Sequence, residues 1–317
     1  MDFRDRRGLR QCAANALENA NYNPKKLMLI YSGISLAVSL IVLCINYLLD
    51  HLIANTGGLG GIGQRSLLST LRMCLDLALY VVQPVWQFGI LAVTLRLVRG
   101  SKVSPPTLLV GFYNFWPVLR LILLQGLIIF GLAFAASYLG AIIFLFTPFS
   151  SALIDTINNT PEVTEELVNA IAGQFIIPLL GCMLVVAAVV VVPFLYKLRL
   201  CRYLLLDSQE NRALQAIRIS KGLMKGKRLA LFKLDLSFWW YYLLTGLISS
   251  VCFGGELLAS VGITLPIPGY LSPILFAAVS YALQLLVIYW KGVEVETTYA
   301  AFYQAVIQPP LVHVDEA

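Results

Sequence analysis

The stretch QFIIPLLGCMLVVAAVVVVPFLYK, residues 174–197, contains no acidic residue and carries its single basic residue at the last position. An α-helix rises about 1.5 Å per residue, so a segment of this length can cross a hydrocarbon layer about 30 Å thick. The stretch therefore predicts a transmembrane helix.

The same pattern recurs along the chain, which is 59% hydrophobic and 13% charged, roughly half the charge of a soluble protein. Helices are expected because a spanning segment must satisfy its own backbone hydrogen bonds, and the alternation of barrel strands is absent. No polar stretch is long enough to fold separately, so residues 1–317 are expected to form a single membrane domain. The sequence predicts an all-α fold, a polytopic transmembrane helical bundle with six spans at about 27–49, 71–97, 118–147, 174–197, 232–253 and 272–290.

Basic residues are distributed unevenly between the segments that join these spans. One set of segments carries Arg4, Arg6, Arg7, Arg10, Lys25, Lys26, Arg96, Arg99, Lys102 and the basic residues between Lys197 and Lys233. The alternate segments carry only Arg65, together with the acidic residues Asp155, Glu162, Glu165, Glu166 and Glu256. This asymmetry places the basic segments in the cytoplasm, and an even number of spans puts both termini on that side.

An amphipathic helix is expected at residues 4–20, before the first span. Its apolar residues recur at spacings of three and four, and arginines occupy the rest of its circumference. Such a helix is expected to lie on the cytoplasmic surface of the membrane.

A second amphipathic helix is expected at residues 208–225, on the same side of the membrane. Asp207 and Glu210 have the spacing of a capping box, and Gly226 is placed to end the helix. Its apolar face is expected to contain Leu214, Ile217 and Met224. The candidate ligand-binding residues of this segment are Arg218, Lys221, Lys225 and Arg228.

The basic helix has two interpretations. It could recognise anionic lipid headgroups or a phosphorylated ligand, since each basic residue near a charged leaflet contributes about 1 kcal/mol. The alternative is that it serves topology and membrane anchoring alone.

Charged residues inside the spans are costly in lipid and are therefore further candidates. Arg72 and Asp76 are four residues apart and are expected to pair on one helix face. Near the inner interface, Arg120 is expected to snorkel, and Asp235 is expected to meet Lys233 or an arginine of the inner segments. The prolines Pro84 and Pro193 interrupt two spans, where they either expose carbonyls to a cavity or form plain kinks.

Several kinds of chemistry lack the residues that they need. The run GLGGIG at residues 58–63 matches a dinucleotide fingerprint but lies in an outer loop, without the required strand and helix. The chain has two histidines, at His51 and His313, and no nucleophile elbow, so a zinc site or a serine hydrolase is not expected. We expect no enzyme activity, no cofactor, no metal and no nucleic-acid binding. The six cysteines show no CxxC spacing and are expected to be free thiols.

Four segments resemble a known group of proteins. They are SKGLMKGKR at 220–228, LFKLDLSFWW at 231–240, TYAAFY at 298–303, and Leu9-Arg10 with Ala13, Ala16 and Leu17. Together they resemble the bacterial integral membrane family known as domain of unknown function nine-seven-five. The resemblance implies a multi-pass protein of the bacterial plasma membrane and implies no activity. The chain departs from the usual pattern at residues 262–273, a longer outer loop rich in Pro and Gly.

The sequence leaves two functional interpretations. The first is a non-enzymatic membrane protein that binds or translocates an amphiphile, a lipid or a hydrophobic peptide, with membrane lipids as partners and anionic headgroups at the inner leaflet. The alternative is a structural or assembly subunit of a membrane protein complex, whose inner helix docks a protein partner.

Overall fold

Helices form almost the whole of the described chain. The computed structural model describes residues 2–55, 62–159, 175–207, 212–255, 258 and 272–308, and these contain no strand. This confirms the expected all-α fold. The α-helices are α1 Arg6–Glu18, α2 Pro24–Asn55, α3 Ile62–Val98, α4 Val110–Tyr113, α5 Phe115–Phe144, α6 Pro148–Asn159, α7 Ile177–Leu198, α8 Cys201–Asp207, α9 Ala213–Leu223, α10 Arg228–Ser237, α11 Trp239–Ser250, α12 Ser272–Val287 and α13 Val293–Ile307.

Within the described residues, five helical segments are long and apolar enough to cross a membrane, or up to six when a bent pair counts as one span. The five are Pro24–Ala54, Gly63–Val98, Phe115–Phe144, Ile177–Asp207 and Ser272–Ile307. The bent pair is α10 followed by Trp239–Phe253, which meet at 62°. The span expected at 232–253 is therefore not one straight helix. Apolar helices of membrane-spanning length are confirmed, while their arrangement in one bundle, the number six and the direction of each span remain predictions.

Two helices extend well beyond the spans expected from hydropathy. α3 begins at Ile62, ahead of the expected span at 71–97, and continues through Pro84. α12 passes through a π-helical turn at Ile288–Gly292 into α13. Hydropathy marks only the apolar part of a helix, whereas backbone hydrogen bonding continues into polar sequence. Pro193 likewise lies inside the continuous helix α7.

The chain forms two compact units. Unit 1 comprises Met1–Leu119, Arg202–Asn211 and Leu229–Ala317, and unit 2 comprises Arg120–Cys201 and Arg212–Arg228. The expectation of a single membrane domain remains a prediction.

The core of unit 1 surrounds α13, which packs against α1 and α3. Four consecutive residues of α13, Ala300, Ala301, Phe302 and Tyr303, are fully buried. This segment lies after the last span expected from the sequence, and its central place in the core was not expected. Its burial explains why the segment is apolar and aromatic although it lies outside the predicted spans.

Two glycines allow α3 to approach the segment that follows it. A Cβ atom on Gly89 would lie 2.0 Å from the carbonyl oxygen of Leu108, and one on Gly111 would lie 2.1 Å from that of Val85. Only glycine therefore fits at either position without movement of the backbone.

α1 confirms the helix expected at residues 4–20, but its apolar face is not free to lie in lipid. Leu9 and Ala13 are fully buried within unit 1, where α1 packs against α13 and α3. The Arg10 guanidinium donates to the Ser237 carbonyl at 2.7 Å and lies 4.3 Å from the centre of the Phe238 ring. Protein therefore covers at least part of the face that the sequence assigned to lipid, while the placement of α1 at the membrane surface remains a prediction.

In unit 2, α5 and α7 run antiparallel and in close contact. The Cys182 thiol donates to the Gly140 carbonyl at 3.3 Å, and the Gln125 amide donates to the Leu198 carbonyl at 3.4 Å. α9 packs against the end of α7. There, the buried Ser220 hydroxyl donates to the Lys197 carbonyl at 2.7 Å, which fixes α9 to α7.

Candidate functional site

The basic helix of unit 2 is shorter than expected. α9 begins at Ala213, and Arg212 at its N-cap makes no side-chain cap hydrogen bond. Asp207 does not cap this helix as the capping-box spacing suggested; it is the last residue of α8. Glu210 lies outside the described residues. The helix ends at Leu223 with Met224 at its C-cap, so it stops before Gly226, which was expected to end it; Gly226 adopts φ +77° in the turn that follows.

The apolar face of α9 differs in one residue from the expected one. Ile217 and Met224 are buried, whereas Leu214 has a relative exposure of 67%. The buried face is completed by Ala216 and Ser220. A hydroxyl takes part in this face because it has an acceptor, the Lys197 carbonyl.

Two lysines of unit 2 converge on one aromatic ring. The Lys197 ammonium lies 4.8 Å from the centre of the Phe194 ring, and the Lys221 ammonium lies 5.1 Å from it. The two nitrogens are therefore within about 10 Å of each other. A ring attracts a cation through its quadrupole, which holds both ammonium groups at the end of α7.

Two more basic residues lie close to Lys221 in the sequence. Arg218 is exposed and lies three residues before Lys221, a spacing that places both on the same side of α9, and the exposed Lys225 lies in the turn that follows the helix. We call Lys197, Arg218, Lys221 and Lys225, together with Phe194, the basic surface. Among the described residues of unit 2 the single carboxylate is that of Asp155, in α6, which follows the opposite end of α5.

Arg228 lies at the boundary of unit 2, where α10 begins. Its Nε atom is buried and has no hydrogen-bond partner within the described part of the chain. Arg228 is therefore a partly buried cation rather than a member of the exposed basic surface.

Asp235 lies in a hydrogen-bonded group of unit 1. It accepts a hydrogen bond from the Tyr299 hydroxyl, and that hydroxyl lies 2.5 Å from the hydroxyl of Tyr242. The expected partners of Asp235 were Lys233 or an inner arginine, and the structure gives it the Tyr299 hydroxyl from the buried helix α13. The ring of Tyr299 lies 6.4 Å from that of Phe238, at the bend between α10 and α11.

A second polar group of unit 1 was not expected from the sequence. The Arg99 guanidinium donates to the Asp207 carboxylate at 2.6 Å and to the Gln304 side chain at 3.1 Å, and the Tyr303 hydroxyl donates to Asp207 at 3.1 Å. The hydrogen bond to Asp207 raises the pKa of Arg99. Asp207 is thus engaged within unit 1, which explains why it does not cap α9.

The polar residues of α2 and α3 pair differently from the prediction. Arg72 forms an ion pair with Asp50 rather than with Asp76, and Asp76 accepts a hydrogen bond from the Asn46 amide at 2.6 Å. Asp50 and Asn46 lie on α2, so both contacts join the two helices. The expected pair within α3 is therefore wrong, because a partner on the neighbouring helix competes for each side chain.

Comparison with protein families identifies the chain. A family model described as Protein of unknown function (DUF975) matches residues 1–309. The chain belongs to this family. No curated protein and no solved structure matches the chain.

The resemblance to DUF975 rested on segments that the structure now places. In this DUF975 protein the 220–228 segment supplies Ser220, which fixes α9 to α7, and Lys221, whose ammonium lies over the Phe194 ring. The 298–303 segment supplies Tyr299 and Tyr303, which bind Asp235 and Asp207. Sequence reasoning missed Phe194 and Lys197, although an aromatic residue and a lysine one turn apart at the end of a span were a usable signal.

Proposed function

We propose that this protein is a non-enzymatic membrane protein that binds or translocates an anionic amphiphile, a lipid or a hydrophobic peptide, at the basic surface. The convergence of Lys197 and Lys221 on the Phe194 ring carries this proposal. We further propose a bacterial plasma membrane, six spans, and both termini in the cytoplasm. In that orientation the basic surface faces the inner leaflet.

An anionic headgroup suits this surface for an electrostatic reason. Like charges held close together repel, and few carboxylates of unit 2 are placed to compensate them. A phosphate or carboxylate between the two lysines removes that repulsion. Each basic residue near an anionic leaflet contributes about 1 kcal/mol, so the two lysines together supply about 2 kcal/mol.

The apolar part of the ligand has a surface to occupy. Below the two lysines, α7 exposes Val189, Val192 and Leu195. These side chains lie within the apolar length of the span, so an acyl chain beside them stays in hydrocarbon while its headgroup reaches the lysines. A ligand with both parts, an amphiphile, matches the surface better than an inorganic anion does.

The proposal is tested by extraction into native-lipid polymer discs and mass spectrometry of the bound lipids and proteins. The double variant Lys197→Gln with Lys221→Gln is compared with wild type. Enrichment of an anionic amphiphile over the bulk membrane is expected in wild type, with a loss of up to roughly thirtyfold in the variant, which corresponds to about 2 kcal/mol.

The matched control removes the same charge elsewhere. Arg6→Gln with Lys26→Gln changes two exposed basic residues of unit 1 and should keep the enrichment. Bulk lipid composition around wild type would refute the proposal. A stoichiometric protein in place of the amphiphile would support the alternative of an assembly subunit.

A further inference from the structure

A cleft of about 420 Å³ lies in unit 1, where α3 ends. Its polar wall consists of Arg96, Arg99, Ser101 and Lys102. Its apolar wall consists of Ala92 and Leu95 of α3, Val110 of α4 and Leu206 of α8. A cleft of this size accommodates a small organic molecule.

The three cations of the cleft differ in how far their charge is compensated. Arg99 is paired with Asp207 at 2.6 Å. Arg96 donates to the neutral Thr107 hydroxyl at 3.2 Å, so its charge has no carboxylate partner among the described residues. Lys102 is exposed and has no ion pair within the same part of the chain. The cleft therefore holds an excess of about two positive charges.

The end of α3 leaves little negative potential to offset this excess. Gly100 adopts φ +67°, and the chain reverses there so that Gly100 N–H donates to the Leu97 carbonyl at 3.0 Å and Ser101 N–H to the Arg96 carbonyl at 2.9 Å. These hydrogen bonds satisfy carbonyls that would otherwise attract the cations. The side chains of Arg96 and Lys102 remain available to a ligand.

We propose that this cleft binds a phosphate monoester carried on a short apolar stem. A phosphate monoester carries a charge of about −1.5 to −2 at neutral pH, which matches the excess charge, whereas a sulfate monoester or a carboxylate carries only one negative charge. Three acceptor oxygens can take hydrogen bonds from both Arg96 and Lys102. The stem lies against Leu95, Val110 and Leu206. This site consists of other residues than the basic surface of unit 2, so the proposal does not rest on the proposed function.

The first test is calorimetric titration of the full chain, in discs of phosphatidylcholine, with hexyl phosphate as the probe. Saturable binding is expected at pH 7.5, several times tighter than that of hexyl sulfate. Binding should weaken on going to pH 5, because the phosphate takes up a proton near pH 6 and loses part of its negative charge. Absence of saturable binding, or equal affinity for the sulfate, would overturn the proposal.

Variants assign the binding to this cleft. Lys102→Gln and Arg96→Gln should each reduce the affinity for hexyl phosphate about tenfold, the value of one charge-assisted hydrogen bond. Lys26→Gln removes an exposed cation outside the cleft and should leave the affinity unchanged. An equal loss in all three variants would show a diffuse charge effect and would reject the site.

Two competition experiments identify the source of the phosphate. If the natural ligand is a lipid, discs that contain phosphatidate should weaken the apparent binding of hexyl phosphate to wild type and much less to Lys102→Gln. If it is a solute, glycerol phosphate in the buffer should compete in the same way. Competition by either supports the phosphate site, and failure of both to compete contradicts it.

Discussion

The Tyr299 hydroxyl connects two partners with a single hydrogen. Because it donates that hydrogen to Asp235, the bond of 2.5 Å between the hydroxyls must be donated by Tyr242. The chain of donors therefore runs from Tyr242 through Tyr299 to a carboxylate. Tyr299 itself is buried, so loss of its hydroxyl cannot be repaired by bulk water.

Tyr299→Phe should lower the free energy of unfolding by about 1–3 kcal/mol, because it removes both hydrogen bonds and leaves polar groups near the buried ring without this partner. Thermal and denaturant unfolding in detergent measure the change. Tyr113→Phe, at a tyrosine with 75% relative exposure, is the control and should stay within about 0.5 kcal/mol of wild type. Equal stability of the two variants would contradict the donor chain.

The partner of Arg72 can be identified by double-mutant cycles. We expect coupling between Arg72→Gln and Asp50→Asn of about 0.2–1 kcal/mol, since both side chains are nearly half exposed, and no coupling between Arg72→Gln and Asp76→Asn. Unfolding of the single and double variants in detergent gives both coupling energies. The reverse result would restore the pair within α3 that the sequence favoured.

At the scale of residues, the sequence identified charged groups more readily than their partners. Asp235 and Arg72 were selected because charge inside a span is costly, and Lys221 because it lies on a basic amphipathic helix. Tyr299 was missed since it lies 64 residues from Asp235 and a tyrosine in an apolar helix carries no special signal. Contacts of that range depend on packing, which one sequence does not encode in any local pattern.

At the scale of elements, the apolar face of α1 can be tested for whether protein or lipid covers it. Leu9→Ala should cost about 2–5 kcal/mol of stability, because Leu9 is fully buried and its truncation leaves a cavity. The measurement is unfolding in detergent, with Gln11→Ala at an exposed position of the same helix as control. A helix lying on the membrane would show no such loss and would instead bind lipid more weakly.

Helix existence was predicted well, and helix ends were not. Hydropathy located every candidate span, because burial in lipid needs an unbroken apolar run. It missed the bend at Phe238, since Trp239 and Trp240 continue the apolar run through the break. It also missed α13. A helix that is covered by protein need not contain the apolar run of about 20 residues that hydropathy detects.

At the scale of the whole molecule, the side of the membrane on which the C-terminus lies distinguishes six spans from five. Green fluorescent protein fused after residue 308 should fluoresce, and alkaline phosphatase fused after residue 57 should be active, because the first folds in the cytoplasm and the second outside it. Five spans with the same starting side would place the tail outside and abolish fluorescence. Whole-cell fluorescence and phosphatase activity report both positions.

The contact between α1 and α13 has a consequence for synthesis in the cell. About 275 residues separate the two helices. At 5–20 residues per second, the ribosome needs roughly a quarter of a minute to a minute to synthesise this intervening stretch. Throughout that interval the nascent chain presents α1 without its contacts to α13. Chaperones and proteases can therefore recognise an unfinished molecule by the exposed apolar face of α1, and this signal is lost once α13 has been made and packs against it.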